Sequence, residues 1–220
     1  MQLLRRMQTL LAQLYDAPVR EDVQDFVLSD RRRLQQAVGD QAGHAADEQV
    51  YVLEEEQGVR VGLFLDRGVL ERLERRDPLD ALDERNLPDF CTALEGVSHF
   101  HYLVWSLARG RNVSLLELEL QAEVDKYATA VALMTRQQAG RFPQALHARM
   151  FHAVSFLPQL DEISRHRYEE ANRHAARFCR SLEERFLRVR RQRPELWLAE
   201  LRTFFRRGHQ EKIRSLAVSG

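Results

Sequence analysis

One interval breaks the periodicity of this chain. Over most of the 220 residues apolar side chains recur every three or four positions, the spacing of one face of a helix. In QVYVLEEEQGVRVGLFLD (49–66) the period drops to two. Tyr51 and Leu53 alternate before a polar turn that ends at Gly58, and Val59, Val61, Leu63 and Leu65 alternate after it. That pattern predicts a β-hairpin over about 49–65. The expected fold is therefore mostly α, a helical bundle-like domain with one hairpin in its N-terminal half.

Around the hairpin, the spacing predicts helices over 2–16 and 19–38, with VGDQAGHAAD (38–47) as a loop. DRGVLERLERRD and DPLDALDER read as two short helices, the second with Pro78 in its first turn. Pro88 opens a helix that runs to about Gly110, and SLLE (114–117) is a capping-box signature for the next. Ser114 would cap that helix and Glu117 would reach back to it. Further helices follow Pro143, span 161–192, and run from Pro194 to Gly208. Without a repeat or a low-complexity linker, residues 1–220 are expected to form a single helical domain. The alternative is a boundary near residue 85, with helices and hairpin before it and a helical core after.

The chain is 44% apolar and 30% charged with a formal net charge of zero, so bulk charge selects no class of partner. The balance hides a basic C-terminal end. Residues 161–220 carry fifteen Arg or Lys against nine Asp or Glu. Thirty-one of the basic residues are Arg and only Lys126 and Lys212 are Lys, a bias that GC-rich coding produces by itself. Cys91 and Cys179 lack CxxC spacing and read as buried thiols of a reducing compartment. No apolar run reaches membrane-spanning length and the N-terminus has no signal-peptide pattern. The expected location is the cytoplasm.

Two stretches concentrate chemistry-bearing groups among apolar ones. Through LEGVSHFHYLVW (94–105) and the turn before it, Phe90, Leu94, Val97, Phe100 and Val104 form an apolar arc with His101 at its edge. Glu95, His99, Tyr102 and Ser106 project together on the opposite side, so Glu95 and His99 read as an exposed i,i+4 pair. Their Glu-x-x-x-His spacing departs from the Glu-x-x-His of di-iron bundles. No metal site and no cofactor are expected, with Glu95 and His99 as the ligand candidates if one exists. In the helix that follows, Glu119, Glu123 and Lys126 form a charged stripe between two apolar arcs, with Lys126 placed to offset two repelling carboxylates. Glu119, Glu123 and Lys126, with His99 or His101, are the catalytic candidates.

The third feature is the arginine-rich helix 161–192. Tyr168 and Asn172 lie in or beside its apolar stripe, and Arg173, Arg177 and Arg180 lie outside it. These five residues are the binding candidates, for a protein or, alternatively, RNA or DNA. Walker A, GxSxG, HExxH, Rossmann and zinc-finger patterns are absent from the sequence.

EGVSHF, LELELQAEVDKY, YEEANRHAARFC and LRTFFRRGHQEKI resemble, over most of the chain, a family of uncharacterised proteobacterial proteins. The resemblance implies a bacterial cytoplasmic protein and brings no activity with it. The sequence by itself favours a non-catalytic binding or regulatory protein with a protein partner. The rival is a metal-assisted or hydrolytic enzyme. Convergence of Glu95, His99, Glu119 and Glu123 in space would reverse that order.

Overall fold

The computed structural model describes residues 2–39, 46–55, 58–152, 161–189 and 192–217. These residues are 68% helical, with nine helices and a three-stranded sheet in the N-terminal half. The mostly α expectation holds.

The hairpin forms as β2 (Glu48–Glu55) and β3 (Gly58–Leu65), antiparallel, with Val50 opposite Leu63 and Val52 opposite Val61. A third strand, β1 (Val27–Leu28), lies parallel to β3 on its other edge. It corrects the helix expected over 19–38, which divides into a short 3₁₀ turn (Val23–Phe26), β1 and the helix α2 (Arg31–Val38). Asp22 and Asp30 start the turn and the helix by accepting from the backbone N–H groups of Gln24 and Arg32. From Val61 to Leu65, β3 is buried on both faces. Val61, Leu63 and Leu65 join the main core, while Phe64 packs with Leu34, Val38, Leu28, Tyr51 and Leu53 under α2.

The remaining helices are α1 (Gln2–Tyr15), α3 (Arg67–Arg75), α4 (Leu87–Leu107), α5 (Leu115–Gln137), α6 (Leu146–Phe151), α7 (Glu162–Leu182), α8 (Pro194–Arg206) and α9 (His209–Ala217). The expected helix at DPLDALDER is instead a run of turns. Asp77 and Asp83 accept from backbone N–H groups two residues on, at Leu79 and Arg85, the local bonding by which Asp competes with a helix. The helix expected over 161–192 ends at Leu182 in a π-turn, Glu183–Leu187. The loop expected over 38–47 lies mostly outside the described residues.

α4 and α5 form the central pair. α1, α3 and both strands of the hairpin pack on α4, and α7 packs on α5. One apolar cluster runs from Leu3 to Leu216 and draws on elements from both sides of residue 85. Because α4 and α5 are covered on most sides along their middle turns, polar groups there are interior as well. His99, Tyr102 and Ser106 are buried, where the helical projection had placed them outside. Among the described residues, no helix is long and apolar enough to cross a membrane.

Candidate metal centre

Two features of the central helices create the site. Glu95 and His99 are four apart on α4, which stacks them on one face, and Glu119 comes from the second turn of α5. One donor atom from each of Glu95, His99 and Glu119 lies within 4.8 Å of the other two. The side chains of His99 and Glu119 are 4% and 9% exposed, so the group is interior.

Each of the three has its own outer partner. Nδ1 of His99 lies 3.3 Å from Glu48 Oε1 on β2. Lys126 donates to Glu95 Oε2 at 2.7 Å and to Glu123 Oε1 at 2.8 Å. Arg167 Nε on α7 lies 3.9 Å from Glu119 Oε1. Carboxylate on the far nitrogen of a histidine, and fixed partners on the ligating carboxylates, are the usual outer shell of a metal site. With Nδ1 facing Glu48, Nε2 is the ring nitrogen that faces Glu119. It lies 3.5 Å from Glu119 Oε2, an ion-pair contact without hydrogen-bond geometry.

Charge leads to the same point. Glu48, Glu95, Glu119 and Glu123 face two cations, Lys126 and Arg167. A neutral His99 therefore leaves two negative charges in excess, the charge of one divalent ion. Without an ion, His99 answers part of that excess with a proton. Burial works against the imidazolium, yet Glu48 and Glu119 raise its pKa well above the ordinary value. Burial also raises Glu48 and Glu123, whereas Lys126 overcomes burial and holds Glu95 below the usual carboxylate range. Glu123 and Glu95 in turn keep the Lys126 ammonium well above its ordinary value in spite of burial.

The structure thus brings together Glu95, His99, Glu119, Glu123 and Lys126, and it changes their roles. Glu95 and His99 are not an exposed pair. Lys126 bridges Glu95 and Glu123 rather than Glu119 and Glu123. His101 points elsewhere, against Phe205, and burial pushes it down to a pKa of about 4. It belongs to the core and not to the cluster. Tyr168 borders the site from α7, where burial and then Glu119, Glu95 and Glu48 raise its hydroxyl pKa. Asn172 instead donates to the Phe151 carbonyl at 3.3 Å. Arg173 and Arg177 are exposed, and Arg180 is paired with Glu184 at 2.8 Å.

Sequence reasoning missed Glu48 and Arg167. Glu48 sits at the first position of a strand, and nothing local marks it as interior. Gly96 was the available signal. A Cβ there would lie 2.6 Å from Leu63 Cδ1 and 2.9 Å from Glu48 Cγ, so the glycine admits the hairpin against α4. The capping box is half formed. Ser114 Oγ accepts from the Glu117 N–H at 3.2 Å, but the Glu117 carboxylate does not reach back. It is buried and accepts from Tyr102 at 2.6 Å and Arg111 at 3.2 Å.

No family model, no curated protein and no solved structure matches this chain.

Proposed function

We propose that the protein binds one divalent transition-metal ion through His99 Nε2, Glu95 and Glu119, and that this ion is its functional centre. The observation that carries the reading is the convergence of donor atoms from Glu95, His99 and Glu119 within 4.8 Å of one another, where His99 Nε2 makes only a long ion-pair contact with Glu119. One nitrogen and two carboxylates suit Mn²⁺, Fe²⁺ or Zn²⁺ better than a soft ion. Donors bound at about 2.1 Å sit roughly 3–3.5 Å apart, so rotation of the two flexible glutamates has to draw the present cluster inward.

Three protein ligands also separate a working site from a closed one. Structural zinc sites use four, whereas three leave a position for water or a substrate oxygen. An ion held here would act as a Lewis acid on that oxygen, which favours the metal-assisted alternative over a purely structural role. Outer-shell charges balance among themselves, Glu48 and Glu123 against Lys126 and Arg167, so the ion and its two carboxylates form a neutral unit.

The test is direct titration of metal-stripped protein with Mn²⁺, Zn²⁺ and Co²⁺, with bound metal counted by mass spectrometry. One ion per chain is expected, and His99→Ala or Glu119→Gln should weaken binding by tenfold or more. Water-proton relaxation by bound Mn²⁺ should report at least one exchangeable water. Millimolar or stoichiometrically undefined binding, unchanged in both variants, would remove the reading and leave an imidazolium buried among carboxylates.

A further inference from the structure

A second polar cluster lies on α4 and α5, apart from the metal candidate. Its centre is Lys212 of α9, which is fully buried. The amine donates to Gln121 Oε1 at 2.6 Å and to the Tyr102 hydroxyl at 2.9 Å. It also sits 4.3 Å from the centre of the Tyr102 ring and 5.0 Å from that of Phe204 on α8. From there the bonds continue inward. Gln121 donates to Asp125 Oδ1 and Ser98 to Asp125 Oδ2, both at 2.6 Å, while Tyr102 donates to Glu117.

The rest of α9 contributes little to hold it. Leu216 is its one other fully buried side chain among the described residues, with Ile213 partly buried. A nine-residue helix at the end of the described chain, with so few apolar contacts, belongs to the least stable part of a fold. Its docking depends on a side chain that gives up its hydration on entering. Gly208, His209, Gln210 and Glu211, at the start of α9, also form one wall of a cavity of about 540 Å³. Asn112, Val113, Ser114 and Glu117 line the other wall, and Ser114 Oγ meets His209 Nδ1 at 3.0 Å across it.

We propose that α9 is a latch, closed by insertion of the Lys212 amine between Tyr102, Gln121 and Phe204, and opened by a proton taken up on that amine. Opening strips the cavity of a wall and bares Glu117, Tyr102, Gln121 and Asp125 to solvent, joining interior polar groups to the surface. The charged groups acting on the amine are Glu117 and Asp125 of α5, which favour its charge, and Arg111 before α5, which opposes it. Burial outweighs them and brings the docked amine down to about 7. A released lysine titrates near 10.4, so the open form binds more protons between those two values. Closure therefore strengthens about tenfold for each pH unit from 7 towards 10. Asp125, at about 6, titrates below that window.

Lys126 and Lys212 are the only lysines of the chain, and both are buried, so acetylation read by peptide compares two lysines, with the α-amine product scored separately. Acetylation of Lys212 by a small activated ester requires the latch to open, whereas Lys126 is held as an ammonium between Glu95 and Glu123 and offers little free amine. The unmodified full chain is treated at pH 7.5 to 9.5, and each site is followed by peptide mass spectrometry against a free lysine peptide. Lys212 should react at least tenfold faster than Lys126. Its rate should stay flat with pH, because the growing fraction of free amine is cancelled by the falling open population. Equal rates at the two lysines would mean global unfolding only, and a Lys212 rate that climbs in step with the free peptide would mean docking indifferent to protonation. Either result overturns the latch.

Discussion

The Glu48 side chain, with that of Leu63, lies against Gly96 so closely that a Cβ there would be 2.9 Å from Glu48 Cγ. A mid-helix glycine costs about 1 kcal/mol relative to alanine, and here that cost lets strand β2 bring a carboxylate to His99. The Glu48 contact fixes which imidazole nitrogen points at Glu95 and Glu119, so a residue with no side chain orients the centre.

Gly96→Ala is accordingly expected to act on the site more than on the fold. The added methyl meets Leu63 and Glu48, so one or both must shift, and overpacking of this kind costs about 1–3 kcal/mol against the helix-propensity gain. Displacing Glu48 should weaken metal binding by about 10- to 100-fold, the usual effect of losing an outer-shell partner. Titrations of parent and variant with Zn²⁺, alongside urea melts, check both parts. An intact affinity in a destabilised variant would show that Glu48 does not orient the histidine.

Ser114→Ala should cost about 1 kcal/mol through loss of the N-cap of α5. The same substitution removes the contact with His209, so the start of α9 should loosen too. A shifted urea midpoint together with faster Lys212 acetylation is expected. An unshifted midpoint would mean that the cap contributes nothing.

The parts legible in the sequence were those governed by local rules. Alternation at Val59, Val61, Leu63 and Leu65 gave the hairpin, and Ser114 gave the start of α5. In the stripe of Glu119, Glu123 and Lys126, the apolar arcs on either side leave Glu119 and Lys126 buried and Glu123 half-buried. Helical projection failed at His99 and Tyr102 because it assumes one wet face, and the middle turns of α4 have none: α5, α1, α3 and the hairpin pack around them. Glu48 and Arg167 are brought in by tertiary contacts with sequence separations of 51 and 48 residues from their partners His99 and Glu119. The lysine of α9 had the same defect as a signal, since one lysine on a short, mostly polar helix looks like surface until its partners are seen.

The Lys212 cluster also predicts how stability follows pH. Asp125 is raised to about 6 by burial, so the folded chain holds more protons than the unfolded one from about pH 4 to 6, and stability falls as pH rises through that interval. Lys212 is lowered to about 7 by burial, so the unfolded chain holds more protons from about pH 7 to 10, and stability rises with pH there. Each contribution is of the order of a few kcal/mol. Lys212→Met should flatten the alkaline limb and Asp125→Asn the acid limb, measured as urea midpoints across pH 4–10. Limbs that survive both substitutions would place the titrating groups elsewhere.

Lys126→Met probes the charge of the candidate centre. The lysine holds Glu95 and Glu123 together at 2.7 and 2.8 Å, and its removal leaves two carboxylates facing each other with little water. Breaking a buried pair on one side costs about 3–5 kcal/mol. These carboxylates are part-exposed, so the lower end is expected. With the ammonium gone, both should titrate higher than in the parent, because burial already raises Glu123 and Lys126, ahead of His99, is the larger charge holding Glu95 down. A raised folded pKa lowers stability relative to the parent as pH climbs from the parent value to the raised one, so the variant should recover on acidification from pH 7 to 5 while the parent changes less. A divalent ion should do the same work at constant pH. Bound beside Glu95, it supplies the positive charge that the variant lacks, and Zn²⁺ or Mn²⁺ should restore more of the melting temperature in Lys126→Met than the parent gains. A small deficit, flat with pH and indifferent to metal, would show a solvated stripe in which neither the ion pair nor the metal site is real.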